Sequence, residues 1–339
     1  MPIKLSVLDR SPVNEGEDSV LGILNTVKLA QKADELGFHR FWVAEHHGSD
    51  VLVSSSPEVL ISHLISKTKR IRVGSGGVML QHYSPFKVAE NFNLLSVLAP
   101  GRVDLGVGRG PGGLPTTTRA LLATTNSEPV SFTEKLDYLD RYLLSQENEG
   151  LRAQPVPSVP PELYVLGTGE SSAKLASEQG LPYVYAHFIN GDEQLLKDSL
   201  SVYRTKFNFA KDRIPGLILA ISVLFAETEE EAKRLAGEKV TYKVHLDSGK
   251  SLAIYSLELA QRLGEQANEP FTIEAAPTSI IYGTKETVLS KIQAISQLHN
   301  IEEVMILPTA HEFEQRIQAY EWLSAGIEHS NEGEKLNDN

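Results

Sequence analysis

The chain has 339 residues, 41% of them hydrophobic and 22% charged, with a formal net charge of −12 and no cysteine. An acidic balance without a basic stripe excludes a nucleic-acid footprint, and the lack of cysteine excludes disulfides, thiolate catalysis and sulfur-ligated metals. No apolar run is long enough to span a bilayer and the first residues, MPIKLSVLDRSPV, lack the core of a signal peptide, so a soluble cytoplasmic protein is expected.

Short runs rich in Val, Ile, Leu and Phe, bounded by turn residues, predict eight strands, at 3–8, 40–44, 71–74, 103–107, 163–166, 183–185, 217–225 and 304–307. Helical patterns follow them at 21–36, 57–68, 85–98, 133–146, 171–179, 192–209, 285–298 and 312–325. Gly37 and Gly180 act as helix stops, and Thr284 stands where an N-cap belongs. Eight strand–helix alternations argue for a closed (β/α)8 TIM barrel of the α/β class rather than an open sheet, with residues 1–329 as one domain. Two segments break the repeat. Residues 114–132 carry a threonine cluster and read as a loop with one turn of helix. Residues 227–280 form an insertion after strand 7 that begins with a charged helix, a length that suits a lid or a substrate wall. The polar stretch 330–339 reads as a flexible tail.

Ligands of such barrels sit at the carboxyl ends of the strands, which directs attention to four loops. GSGG (74–77) ends strand 3, either as a flexible turn or as a backbone shelf for a flat ligand. GVGRG (106–110) ends strand 4, where glycines allow close approach and Arg109 offers a bidentate donor for phosphate, although barrel corners need glycine anyway. LGTGESS (166–172) joins strand 5 to a helix whose first amides and the hydroxyls of Ser171 and Ser172 could hold an anion, or merely cap the helix. Barrel phosphate sites more often follow strands 7 and 8. Glu45-His46-His47 ends strand 2, and strand alternation predicts that one of the two histidines faces the site. An acid/base or cofactor-contacting histidine fits better than a metal ligand, since His82, His187 and His311 supply no recognised ligand spacing.

As an ordered set, LDRSPV (8–13), FWVAEHH (41–47), VGSGGVML (73–80), HYSPFKVAENFNLL (82–95), PGRVDLGVGRGPGG (100–113), VLGTGESSAKLASEQGLPYVYAHF (165–188), IYGTKETV (281–288) and IEEVMILPTAHEFEQRIQAYEWL (301–323) resemble the bacterial-luciferase-like flavin monooxygenase family. The resemblance covers most of the chain outside the insertion. It implies a barrel that holds reduced FMN at its C-terminal face, with Arg109 and the turn Gly169, Glu170, Ser171 and Ser172 on the phosphate, and a non-prolyl cis peptide at Gly76–Gly77 bracing the isoalloxazine ring. It also places His82 among the ring-lining residues and His46 as the catalytic histidine that exchanges a proton while O2 and a small apolar substrate react through a flavin peroxide. Family members are usually dimeric, which implies a homodimer through the helices at 57–68 and 85–98. The sequence has no nicotinamide fingerprint, so NAD(P)H serves as a direct electron source or an indirect one through a separate flavin reductase. Arg10 departs from the uncharged residue common at its position. Other readings are a deazaflavin-dependent hydride-transfer oxidoreductase, a flavin-binding protein without turnover, and a sugar-phosphate barrel, for which Asp9, Glu45 and Asp104 make no convincing carboxylate set.

Overall fold

The computed structural model describes residues 3–123, 130–146, 150–211, 213–249, 251–254, 256–310 and 312–335, with side chains as far as residue 325. In chain order the strands are β1 (Lys4–Asp9), β2 (Arg40–Val43), β3 (Arg72–Met79), β4 (Val103–Gly108), β5 (Glu162–Gly167), β6 (Tyr183–Ala186), β7 (Leu217–Phe225), β8 (Val240–Leu246), β9 (Ser251–Ile254), β10 (Phe271–Pro277), β11 (Ile281–Gly283) and β12 (Glu303–Pro308). Strands β1 to β7 pair in parallel, each with the next, except that β12 also runs between β7 and β1 and closes the ring. This is the (β/α)8 TIM barrel that the eightfold alternation predicts.

Alternate residues of each strand turn inward or outward, and the two sets build two layers of core. Leu8, Trp42, Tyr164, Val184, Ile218, Ala220, Met305 and Leu307 pack inside the ring, while Val7, Phe41, Val43, Val73, Leu105, Val165, Leu219 and Ile306 pack outward against the helices. Toward the amino ends of the strands the interior turns polar. There Arg40 contacts Asp104 at 2.9 Å, Glu303 at 2.7 Å and the Tyr164 hydroxyl at 2.8 Å. A cavity of about 580 Å³ opens at this mouth beside Lys4, Arg72, Glu162 and Glu303. Arg72 pairs with Asp104 and with Glu162 there, and in a barrel this face serves stability rather than catalysis.

Three expectations need correction. Strand β3 does not stop before its glycines but runs through them to Met79, because Gly77 and Gly106 let β3 and β4 come close: a Cβ on Gly77 would lie 2.6 Å from the Gly106 carbonyl oxygen. In the segment 114–132 a helix of eight residues forms at Pro115–Leu122, started by proline at its first position, where the single turn was expected. The tail expected at 330–339 is helical as far as Lys335, since a helix already nucleated at Phe313 extends at little cost, and 336–339 lie outside the described residues.

The insertion is a small unit of its own. After the helix Glu229–Gly237, strands β8, β9 and β10 form an antiparallel sheet in the order β10-β8-β9. The helix Leu257–Ala267 packs on that sheet through Ala260 and Leu263 against Val244, and Leu114 from the loop after β4 joins the same cluster. Strand β11 then returns to the barrel beside the end of β7, Gly283 opposite Phe225. Among the described residues no helix is long and apolar enough to cross a membrane.

Candidate active site

Glycines let the carboxyl ends of β3 and β4 pack close, backbone against backbone. Ser75 donates to the Gly106 carbonyl at 2.8 Å and locks the two strands together, and the register shifts between Gly76 and Val78. The Gly76–Gly77 peptide is cis, as the resemblance implies. Packing alone accounts for part of the glycine content, since a Cβ on Gly76 would sit 2.6 Å from Leu8 and one on Gly106 would sit 2.3 Å from the Ser75 carbonyl oxygen.

Beyond β2 the alternation that should have separated the two histidines is lost. The strand ends at Val43, and the next amides leave the sheet: His46 N–H donates to the Ser54 carbonyl and His47 N–H to the Gly112 carbonyl, both at 2.7 Å. His46 and His47 therefore line the same cavity, of about 430 Å³, together with Val51, Leu52 and the 111–114 loop. Its far wall comes from the insertion, through Leu252, Ile254, Leu259 and Leu263. The space is apolar apart from the imidazoles and two serines, Ser49 and Ser256.

The two imidazoles differ. His46 has its Nδ1 sealed without a hydrogen-bond partner, and burial, followed by the positive charge of Arg10 and then His47, pushes its pKa down to about 3. The ring is neutral at ordinary pH. His47 instead has its Nε2 2.7 Å from Glu45 Oε1, an oxygen that also accepts the Tyr83 hydroxyl at 2.7 Å. Glu45 Oε2 accepts the Met79 amide at 3.0 Å, and the carboxylate is 3% exposed.

The helix Glu170–Glu178 starts at Gly169 with no side-chain cap, which leaves its first amides available. Ser172 spends its hydroxyl on the Gly169 carbonyl at 2.8 Å and on the Tyr183 hydroxyl at 2.9 Å, so only its amide can serve a ligand, whereas Ser171 is exposed. Arg109 is exposed just past β4, the neighbour of β5, with its guanidinium 5.3 Å from the centre of the Phe132 ring.

His82 is held by the loop after β4. Its Nε2 donates to the Pro111 carbonyl at 2.9 Å, and it lines a separate cavity of about 280 Å³ with Glu58, Tyr83 and Lys87. His187 lies 3.3 Å from Glu193 and belongs to neither cavity, and His311 lies outside the described residues. No three metal-ligating side chains converge among the described residues. Asp9 is taken by an ion pair with buried Arg316 and a 2.9 Å hydrogen bond from Thr26, and Asp104 by the arginine network, so neither is free for acid/base work. Sequence reasoning missed Tyr83, which only the fold brings to Glu45, and Lys135, whose ammonium holds the Gln81 and Tyr83 carbonyls at 2.8 and 3.0 Å. It also missed the four apolar insertion residues.

A family model described as luciferase-like monooxygenase matches residues 1–299. The chain is 39% identical over 330 residues to the N-acetyl-S-alkylcysteine monooxygenase of Bacillus subtilis (strain 168), covering 96% of this chain and 98% of that one. Among solved structures, apo-MsnO8 superposes with a TM-score of 0.79 at 32% identity, covering 96% and 98% of the two chains. The oxygenating constituent of 3,6-diketocamphane monooxygenase from the CAM plasmid of Pseudomonas putida, solved in complex with FMN, shares the fold at a TM-score of 0.67 and 19% identity, covering 96% and 97%.

Proposed function

The chain belongs to the luciferase-like monooxygenase family, and on that premise we propose that it uses reduced FMN and O2 to oxygenate a small, largely apolar organic substrate. The observation that carries this reading is the cavity at the carboxyl ends of the barrel strands, lined by two imidazoles and an apolar wall.

The residues present fit a flat cofactor with a phosphate tail. The uncapped amides at Gly169, Glu170, Ser171 and Ser172, with the Arg109 guanidinium, would hold the phosphate. Gly76 and Gly77 would lie under the ring, and His82 would act on it through the Pro111 loop it braces. Bound reduced FMN supplies the two electrons and two protons that let one atom of O2 enter the substrate while the other leaves as water. The chain excludes bulk water with the insertion wall, orients the reacting groups, and presents His46 as a neutral hydrogen-bonding group at the reacting centre.

The relative's name points to S-alkylated N-acetylcysteines as the first substrates to test, with the alkyl chain in the apolar cavity. Electrons come from NAD(P)H, directly or through a separate flavin reductase. The active form is a homodimer through the helices Pro57–Lys67 and Pro85–Leu98, whose Val59, Leu94, Val97 and Leu98 side chains are exposed.

The decisive experiment is an anaerobic titration with reduced FMN and, in parallel, reduced deazaflavin, followed by air and N-acetyl-S-benzylcysteine. Saturable FMN binding with an oxygenated product supports the reading. Deazaflavin binding with hydride transfer, or FMN binding without turnover of any thioether offered, would replace it with one of the alternatives.

A further inference from the structure

His46 and His47 face one cavity, yet only one of them can pass a proton on. A carrier must take a proton at one nitrogen and release it at the other. His46 has its Nδ1 sealed with no partner, which leaves a single usable nitrogen. His47 lines the cavity while its Nε2 is bonded to Glu45 at 2.7 Å. An ionised carboxylate accepts only, so that geometry puts the ring proton on Nε2 and leaves Nδ1 as the nitrogen with the free lone pair.

The chain of contacts does not end at Glu45. The Tyr83 hydroxyl donates to the same Oε1 and lies 3.3 Å from His47 Nε2. Tyr83 also lines the second cavity, where Glu58, His82 and Lys87 stand. We propose that His47, Glu45 and Tyr83 form a proton relay from the substrate cavity to the Glu58 cavity, with His47 the catalytic residue and Glu45 and Tyr83 positioning residues. This rests on the monooxygenase reading of the site.

A proton released in the substrate cavity bonds to His47 Nδ1. The Nε2 proton passes to Glu45 Oε1; the Tyr83 hydroxyl then turns from Glu45, releases its proton into the Glu58 cavity and takes the one on Glu45. One proton enters, one leaves and every charge is restored, with His47 left as its Nδ1–H tautomer until a proton passes the other way. The reverse sequence delivers a proton when water is formed. Charged and titratable groups around this chain are Arg10 and His46 on the substrate side and Glu58, His82 and Lys87 on the other. Burial, aided by the Glu45 charge, raises the Glu58 carboxyl above its ordinary value, which suits a group that receives and releases a proton.

The test begins on the cofactor-free protein. Imidazole-15N spectra should show His47 as the Nε2–H tautomer, and E45Q should shift that signal without shifting that of His46. With FMN and substrate, H47A should lose about 100-fold in turnover with FMN binding intact, the lower end of what acid/base groups contribute, and added imidazole should restore part of it. Y83F and E58Q should each enlarge the solvent isotope effect on turnover. A His47 protonated on Nδ1, or an H47A enzyme within twofold of the unaltered one, overturns the relay. If the unaltered protein oxygenates nothing, the monooxygenase reading fails instead, and the tautomer measurement still decides the geometry.

Discussion

Arg40 and Asp104 meet at 2.9 Å inside the barrel, both almost fully buried, and Asp104 also takes Arg72 and the Trp42 indole N–H. Removing one partner of a buried charge network leaves the others uncompensated. Asp104→Asn should therefore lower unfolding free energy by about 3–5 kcal/mol in urea titrations. The change lies at the mouth opposite the active site, so FMN affinity of the folded fraction should stay as it is.

His46 predicts an acid-dependent loss of stability. Its folded pKa of about 3 lies below the ordinary 6.5, so the unfolded chain binds more protons between those values. The contribution is whole above pH 6.5 and shrinks as pH falls toward 3. Between pH 7 and pH 5 the wild type should lose about 2 kcal/mol that His46→Gln keeps. His39 and His187 are also pushed down, first by burial, so the slope of the wild type exceeds this amount and only the difference between the two proteins reports His46.

The phosphate assignment can be separated from ring binding by comparing FMN with riboflavin. Arg109→Ala should weaken FMN by about 10–100-fold, the value of one charge-assisted contact, and leave riboflavin unchanged. Flavin fluorescence quenching reads both. An equal loss for the two ligands would move the role of Arg109 from phosphate to loop structure.

The apolar wall should set substrate length. Ile254→Ala removes three carbons from the cavity lining, and at about 0.8 kcal/mol for each buried methylene it should cost up to about 60-fold in kcat/KM for alkyl chains that reach it. Short-chain substrates should be unaffected. Uniform loss across chain lengths would instead indicate a displaced wall.

The barrel strands were legible because each is a short apolar run whose period and flanking turns leave no competing fold, as at Leu217–Phe225. Loops that end in glycine or in Glu-His-His announced themselves by composition. The pairing of Tyr83 with Glu45, 38 residues away, was not readable, because it depends on how the chain leaves β2 and on the turn that Lys135 holds. Strand periodicity misled at His46 and His47 for the same reason: the rule of alternate faces applies only while the ladder continues. The insertion sheet hid itself in half-polar strands such as Val240–Leu246, which face solvent on one side and carry no strong apolar run.

The insertion leaves the barrel after Phe225 and comes back with Gly283 paired to that same residue, the Ala226 amide donating to the Gly283 carbonyl at 3.2 Å. Its two ends are thus one ladder spacing apart. A polypeptide of any length with such ends can be exchanged without asking the ring to move, so descendants of this chain can trade roofs, and with them the molecules they accept, on an inherited floor.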